Sequence, residues 1–319
     1  MSAAPRCSGA VLRRLAALVA SVSVLRCAAV SLGTDPKHDK YGLRCLADSQ
    51  VSLQSYVTAI VSTSPRAEDA SGQGLEVLKE TVCSIRNALG LSRATVVVAW
   101  DVLPVTNISK GTQAVPESTA KFYAQKLQDF KAWNAKALGG AVTIFENKEW
   151  THQAEMLHRV FEHLEATRTL TPLVYLAQDD SPVSGNIDVP LILRSLSCDP
   201  EVDYVRFQWS NDCTEGHARN WNQPCEQHPR TPLLHSVGRY SDRPHFATTN
   251  FYFDQIFRRI PRAYRGVPER AVVSGLKHGW IYGARHRMLH DSNVLQDSYN
   301  EMPKPHTSLA GARACRASP

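Results

Sequence analysis

No GxxxxGK[ST], GxSxG, HExxH or GxGxxG pattern occurs in the 319 residues. A P-loop nucleotidase, an α/β-hydrolase of the usual kind, a zincin and a dinucleotide-binding dehydrogenase are thereby excluded. Gly72-Gln-Gly74 lacks the third glycine and reads as a flexible entry to a helix. No CxxC pair is present, so a structural zinc site of ordinary spacing is excluded too, and His152, His158 and His163 do not fall at i, i+4 ligand spacing. Positive charge is scarce where a partner would need it. Of the formal net charge of +6, Arg6, Arg13, Arg14 and Arg26 supply four and Lys304, Arg313 and Arg316 three more, which leaves 35–301 at −1. That body cannot neutralise many phosphates, and a nucleic-acid partner is set aside. With 43% hydrophobic and 21% charged residues, no internal repeat and no low-complexity tract, collagen-like, coiled-coil and disordered classes also fall away.

Acidic residues are missing altogether before Asp35. Arg13-Arg14 precede the apolar run 15–25, and Arg26 interrupts that run short of the roughly 20 residues a spanning helix needs. Residues 1–34 are expected to be a signal peptide, with a membrane-anchoring signal segment or an organelle transit segment as alternatives. The expected address is the secretory pathway, in the Golgi or ER lumen, or outside the cell. Cleavage would leave Cys45, Cys83, Cys198, Cys213, Cys225 and Cys315, an even set that suits an oxidising lumen. Only Cys213 and Cys225 are near enough in sequence to favour as a pair. Asn107-Ile-Ser109 is a glycosylation sequon that agrees with such a lumen.

From residue 56 onward short β-rich runs alternate with amphipathic stretches. Tyr56–Val61, Thr95–Ala99, Ala141–Phe145 and Leu173–Ala177 read as buried strands. Between them, Leu75, Leu78, Val82, Ile85 and Leu89 share one helix face, Tyr123, Leu127, Phe130 and Ala137 a second, and Met156, Leu157, Val160, Phe161 and Leu164 a third. Strands separated by crossover helices predict an α/β, mostly parallel, doubly wound sheet, whose ligands sit at the carboxyl ends of the strands. Those ends carry Ser62 to Arg66, Asp101, Glu146 with Asn147, and Gln178 to Asp180. The tail 307–319 is expected to hang loose.

Gln178-Asp179-Asp180 closes the fourth apolar strand. Adjacent carboxylates there repel unless a cation lies between them and a ligand. Hard oxygen ligands suit Mg²⁺ or Mn²⁺ bridging two phosphate oxygens. On these strand ends the chain resembles nucleotide-sugar glycosyltransferases of the GT-A fold, the family 2-like type, over roughly 56–291. The resemblance implies a domain at 50–306, with a nucleotide-sugar half, 50–185, and an acceptor half, 186–306. It implies Thr63, Pro65, Arg66 and Asp101 around the nucleoside, Asp179 on the donor sugar or ribose, and Asp180 with His290 on the metal. Gln178 stands where that family's metal motif has its first carboxylate.

Region 204–282 is dense in aromatic residues, among them Trp209, Trp221, Tyr240, Phe246, Trp280 and Tyr282. Aromatic rings stack on the C–H faces of sugars, so Trp209, Tyr240 and Trp280 are candidates for acceptor binding. The run 240–250 crowds polar and charged residues between aromatics and reads as an acceptor loop with Asp242, Arg243 and His245 toward the cleft. Glu269 is the candidate general base for an acceptor hydroxyl and Asp242 the reserve. The function expected is transfer of a sugar from a nucleotide sugar to a carbohydrate or glycoprotein acceptor. Alternatives are a sugar nucleotidyltransferase and an inactive carbohydrate-binding or scaffold protein of the same fold.

Overall fold

A computed structural model describes residues 41, 43, 45, 53–103, 109–110, 113–114, 116–183, 187–207, 225–262, 264, 266–272, 275–282 and 315. The chain divides into Met1–Lys40 and Tyr41–Pro319, and all described residues belong to the second unit. The expected leader 1–34 lies outside them. None of the described helices is long and apolar enough to cross a membrane.

The expected alternation is present. Strand β1, Val57–Ser62, is followed by helix α1, Gln73–Asn87, and strand β2, Thr95–Trp100. A two-stranded ribbon, β3 (Ser109–Lys110) and β4 (Gln113–Ala114), precedes helix α2, Glu117–Leu138, and strand β5, Val142–Glu146. Helix α3, His152–Ala166, leads to β6, Leu173–Gln178, and α4, Val189–Cys198, to β7, Tyr204–Phe207. Strands β8, Leu234–Ser236, β9, His245–Thr248, and β10, Gly279–Tyr282, complete an eight-stranded sheet ordered β5-β2-β1-β6-β9-β7-β10-β8. The first four are mutually parallel; β9 runs antiparallel between β6 and β7, and β8 antiparallel along β10. The class is α/β, a mixed and mostly parallel sheet with flanking helices.

Side chains alternate across the strands, which puts Val96, Val98 and Trp100 in one layer and Val97 and Ala99 in the other. Helices α1, α2 and α4 cover the first layer, and α3 with the helical segment from Thr249 to Ile256 covers the second. Both faces are buried, which is why these strands read as continuous apolar runs. Helix α2 ends at Leu138, because Gly139 takes the left-handed conformation, φ 62°, that few other residues adopt cheaply.

Disulfides join Cys45 to Cys198 and Cys83 to Cys315. Cys315 is thereby tied to α1, and the rest of the tail 307–319 lies outside the described residues. Cys225 is also disulfide-bonded, while Cys213, its expected partner, lies outside the described residues.

Candidate functional site

From β1 the chain winds outward to β2 and then β5, whereas β6 pairs with the opposite side of β1. This reversal opens a crevice at the carboxyl ends of β1 and β6, where an open α/β sheet takes its ligand. Arg66 comes from the first end, Asp179 and Asp180 from the second. Arg66 donates to Asp179 Oδ1 from Nε at 3.1 Å and from Nη2 at 3.0 Å, and its Nη1 lies 2.6 Å from Asp180 Oδ2. The Asp179 side chain is 1% exposed and that of Asp180 28%, so one carboxylate is enclosed and its neighbour is partly open to solvent.

Beneath Asp179 lies Lys126 of α2, whose Nζ is 2.8 Å from Asp179 Oδ2 and 2.9 Å from Asp69 Oδ1. Burial alone would push the Asp179 carboxyl up, but Lys126 and Arg66 outweigh it and hold the carboxyl below its ordinary range. Asp69 and Asp180 are instead raised, since burial exceeds the help from Lys126 in one and Arg66 in the other. The Lys126 ammonium, penalised by burial, is raised by Asp179 and Asp69. Gly74 has a place in this network, because a Cβ there would meet Asp69 Oδ1 at 2.0 Å. The Gly72-Gln-Gly74 run thus makes room for a buried carboxylate.

Asp101, at the end of β2, faces the start of α3. Its carboxylate accepts from the Thr151 and His152 backbone N–H groups at 3.0 and 2.7 Å and from Thr151 Oγ1 at 3.1 Å. It thereby satisfies helix donors that Thr151, the residue at the cap position, leaves without a side-chain partner. Burial raises its carboxyl against those donors. His152 is held at φ 61°, a strained conformation for a non-glycine residue. Thr63, buried, lies 2.6 Å from the Tyr123 hydroxyl through its Oγ1. Pro65, half-buried, precedes Arg66.

A second carboxylate pair stands at the same edge. Gln178 Nε2 donates to Asp242 Oδ2 at 2.6 Å, and the Asp242 backbone N–H donates to Glu269 Oε1 at 2.9 Å. Glu269 and, from α3, Gln153 lie close enough to act on the Asp242 carboxyl. Burial first, then the Glu269 charge, push Asp242 up to about 7. Both residues flanking Asp242 are clamped. The Tyr204 hydroxyl donates to the Ser241 carbonyl at 2.9 Å and accepts from the Ser241 N–H at 3.2 Å. The His245 ring contacts the Arg243 carbonyl through Nδ1 and the Tyr252 hydroxyl through Nε2, both at 2.5 Å.

Several aromatic expectations are corrected. Tyr240 and His245 are core residues, 1% and 0% exposed, and do not face a cleft. Burial pushes the His245 imidazole down to about 3, so it is neutral and works as a hydrogen-bonding brace. The reason is topological: β9 is an internal strand, so His245 is enclosed by β6, β7 and the segment after it. Trp280 sits at the opposite, amino-terminal edge of β7 and β10, where its Nε1 donates to the Glu201 carbonyl at 2.7 Å. There it lines a cavity of about 340 Å³ with Glu201, Ser236 and His278. Arg243 is half-buried beside Asp242. Trp209 and His290 lie outside the described residues.

Asp199, Glu201 and His228 also cluster closely enough to suggest a metal. Chemistry argues against it. His228 Nδ1 accepts from the backbone N–H groups of Arg230 and Thr231 at 3.2 and 3.0 Å, which places the ring proton on Nε2, the atom facing Asp199. A protonated Nε2 offers no lone pair, and Arg230 already pairs with Asp199 at 2.6 Å.

Sequence reasoning missed Lys126 and Asp69. Lys126 falls three residues after Tyr123 and four before Phe130, on the apolar stripe itself, and a lysine on such a stripe needs a buried carboxylate. That signal was available.

Asp180 suits a divalent ion of the Mg²⁺ or Mn²⁺ type: it is a hard oxygen donor at the crevice, and such ions commonly take one or two carboxylates together with substrate phosphates. Asp179 does not fit as a direct ligand, since Arg66 and Lys126 engage both of its oxygens.

No family model matches the chain, and no curated protein matches it. Among solved structures it is similar to the mannosyltransferase PcManGT from Pyrobaculum calidifontis in complex with GDP-Man and Mn²⁺, at 12% identity and a TM-score of 0.36 over 76% of this chain. It is also similar to GalNAc-T7 with UDP, GalNAc and Mn²⁺, at 12% identity and a TM-score of 0.41 over 72% of this chain. The chain spans 61% and 43% of the lengths of those two proteins. Likenesses this distant assign no residue, and the chemistry of the site rests on its own geometry.

Proposed function

We propose that this chain transfers a sugar from a nucleoside-diphosphate sugar to a hydroxyl of a carbohydrate or glycoprotein acceptor. The observation that carries the reading is the meeting, where the strand order reverses, of two carboxylate pairs joined through Gln178, in one of which Asp179 is held low by Lys126 and Arg66 while in the other Asp242 is pushed up. A pair neutralised by the chain's own cations suits a charged diphosphate. A carboxyl tuned to about 7 suits proton transfer near neutral pH.

In this mechanism Thr63 and Pro65 shape the end of β1 against the nucleoside, and Asp101 supports that wall by holding the turn before α3. Asp179 anchors Arg66, whose guanidinium faces the diphosphate. Asp180 would hold the divalent ion, with His290 as a further expected ligand; such an ion neutralises charge developing on the departing diphosphate. Asp242 accepts the proton of the acceptor hydroxyl as that oxygen bonds to the anomeric carbon and the bond to the diphosphate oxygen breaks. Glu269 holds the Asp242 backbone and raises its carboxyl, so the two roles expected from the sequence are exchanged. The leader 1–34 would deliver or anchor the enzyme in the secretory pathway.

The test is calorimetric titration of UDP and GDP with and without Mn²⁺, followed by a donor panel read by release of free nucleotide. Metal-dependent binding with donor turnover supports the reading. Turnover of a nucleoside triphosphate with a sugar phosphate would replace it with nucleotidyl transfer, and absence of any nucleotide binding would reduce the chain to a carbohydrate-binding or scaffold role.

A further inference from the structure

Arg66 spans both carboxylates of the acidic pair. Its Nε and Nη2 grip Asp179 Oδ1, and its Nη1 sits 2.6 Å from Asp180 Oδ2, on the more exposed carboxylate of the two. Asp179 does not depend on Arg66 alone, because Lys126 holds its other oxygen at 2.8 Å. The two contacts of Arg66 therefore differ in consequence. Losing the first leaves Asp179 with Lys126, and losing the second exposes Asp180 to whatever cation enters.

We propose that Arg66 is a latch: it is the resting counter-ion of Asp180, it must release that carboxylate for a divalent ion to be taken, and the freed Nη1 then turns to the diphosphate. The inference rests on the nucleotide-sugar reading and adds an order of binding to it. Three carboxylates, Asp69, Asp179 and Asp180, face two cations, Arg66 and Lys126, so the resting cluster carries one negative charge. A divalent ion alone must compete with the guanidinium and leaves the cluster positive. A diphosphate alone adds anions to a cluster already negative. Bound together, the ion's charge offsets that of the diphosphate instead of leaving either uncompensated, so each should tighten the other's binding by the same factor.

The probe is Mn²⁺ itself, followed by the loss of its free-ion paramagnetic resonance signal, with and without UDP or GDP. Wild-type protein should bind Mn²⁺ weakly alone and about 10-fold or more tightly with the nucleotide, within the usual range of coupling factors. Arg66→Gln should bind Mn²⁺ alone about 10-fold more tightly than wild type, with most of the nucleotide enhancement lost. Arg66→Lys keeps the charge but cannot span both carboxylates, so it should shift the same way and serves if the glutamine variant folds poorly. Mn²⁺ affinity unchanged in both variants overturns the latch while leaving the nucleotide-sugar reading intact. Wild type that binds no nucleotide under any condition overturns that reading and the turn of Arg66 to a diphosphate with it, while tighter Mn²⁺ binding by Arg66→Gln would still support Arg66 as the counter-ion that Asp180 must lose.

Discussion

Two carboxylate pairs share one edge of the sheet, yet Asp179 in one and Asp242 in the other are shifted in opposite directions. Asp179 is enclosed by Lys126 and Arg66 and held below its ordinary range. Asp242 meets another carboxylate and an amide, and is pushed up to about 7. Residue type is the same in both places. Burial raises both carboxyls, and only at Asp179 do two cations together outweigh it. Asp179 is thereby held as an anion, whereas Asp242 can gain and lose a proton near neutral pH.

The sharpest way to break this contrast is to remove the titrating group. Asp242→Asn should cut transfer by about 10²–10⁴-fold and leave nucleoside-diphosphate affinity unchanged in calorimetry. Equal loss of both would show that Asp242 only supports the fold. The same variant tests the setting by stability. The folded Asp242 carboxyl titrates near 7 against an ordinary 3.8, so its contribution falls as pH rises from about 4 to 7. Asp242→Asn should therefore melt higher than wild type at pH 8 and the same at pH 4.

The opposite pair should fail in the opposite sense. Lys126→Met strips the common cation from two buried carboxylates and should cost about 3–5 kcal/mol of stability, measured by denaturant unfolding at pH 7. As pH falls and those carboxylates protonate, the gap between variant and wild type should narrow. A gap independent of pH would mean that Lys126 acts through packing.

Coupling within the acceptor pair is read from pH profiles. Transfer requires Asp242 unprotonated, so kcat/KM should rise through an acid limb near pH 7. Glu269→Gln removes the charge that raises Asp242, so the limb should move toward lower pH while activity above the limb persists. If activity vanishes at every pH, Glu269 is itself the base. Tyr204→Phe takes one hydroxyl from the clamp on Ser241 and should lower kcat by about 5-fold, in line with about 1 kcal/mol for a buried hydrogen bond. Donor KM should not change. The smallest effect belongs to Trp280→Ala, which should leave acceptor KM untouched because that ring lies at the far edge of the sheet.

Much of the fold was legible because its signals are local. The apolar runs at β1, β2, β5 and β6 and the stripes of α1, α2 and α3 carry their own periods, and Gly139 marks the end of α2. The site was legible only in part. Strand ends could be located, and Arg66, Asp179, Asp180, Asp242 and Glu269 do gather at one edge. Orientation was not legible. Asp101 faces the start of α3, His245 is enclosed by neighbouring strands, and Trp280 begins at the wrong end of its strand, none of which a linear pattern encodes.

By itself the chain of residues determined the alternation of strands and helices, the parallel crossover architecture and the acidic character of the fourth long strand's end, because period, length and turn chemistry act over a few neighbours. Tertiary structure alone decided which cation meets which carboxylate. Lys126 reaches Asp179 across 53 positions and Gln178 reaches Asp242 across 64, and a carboxyl's charge state depends on what stands within a few ångströms of it, whatever the distance along the chain.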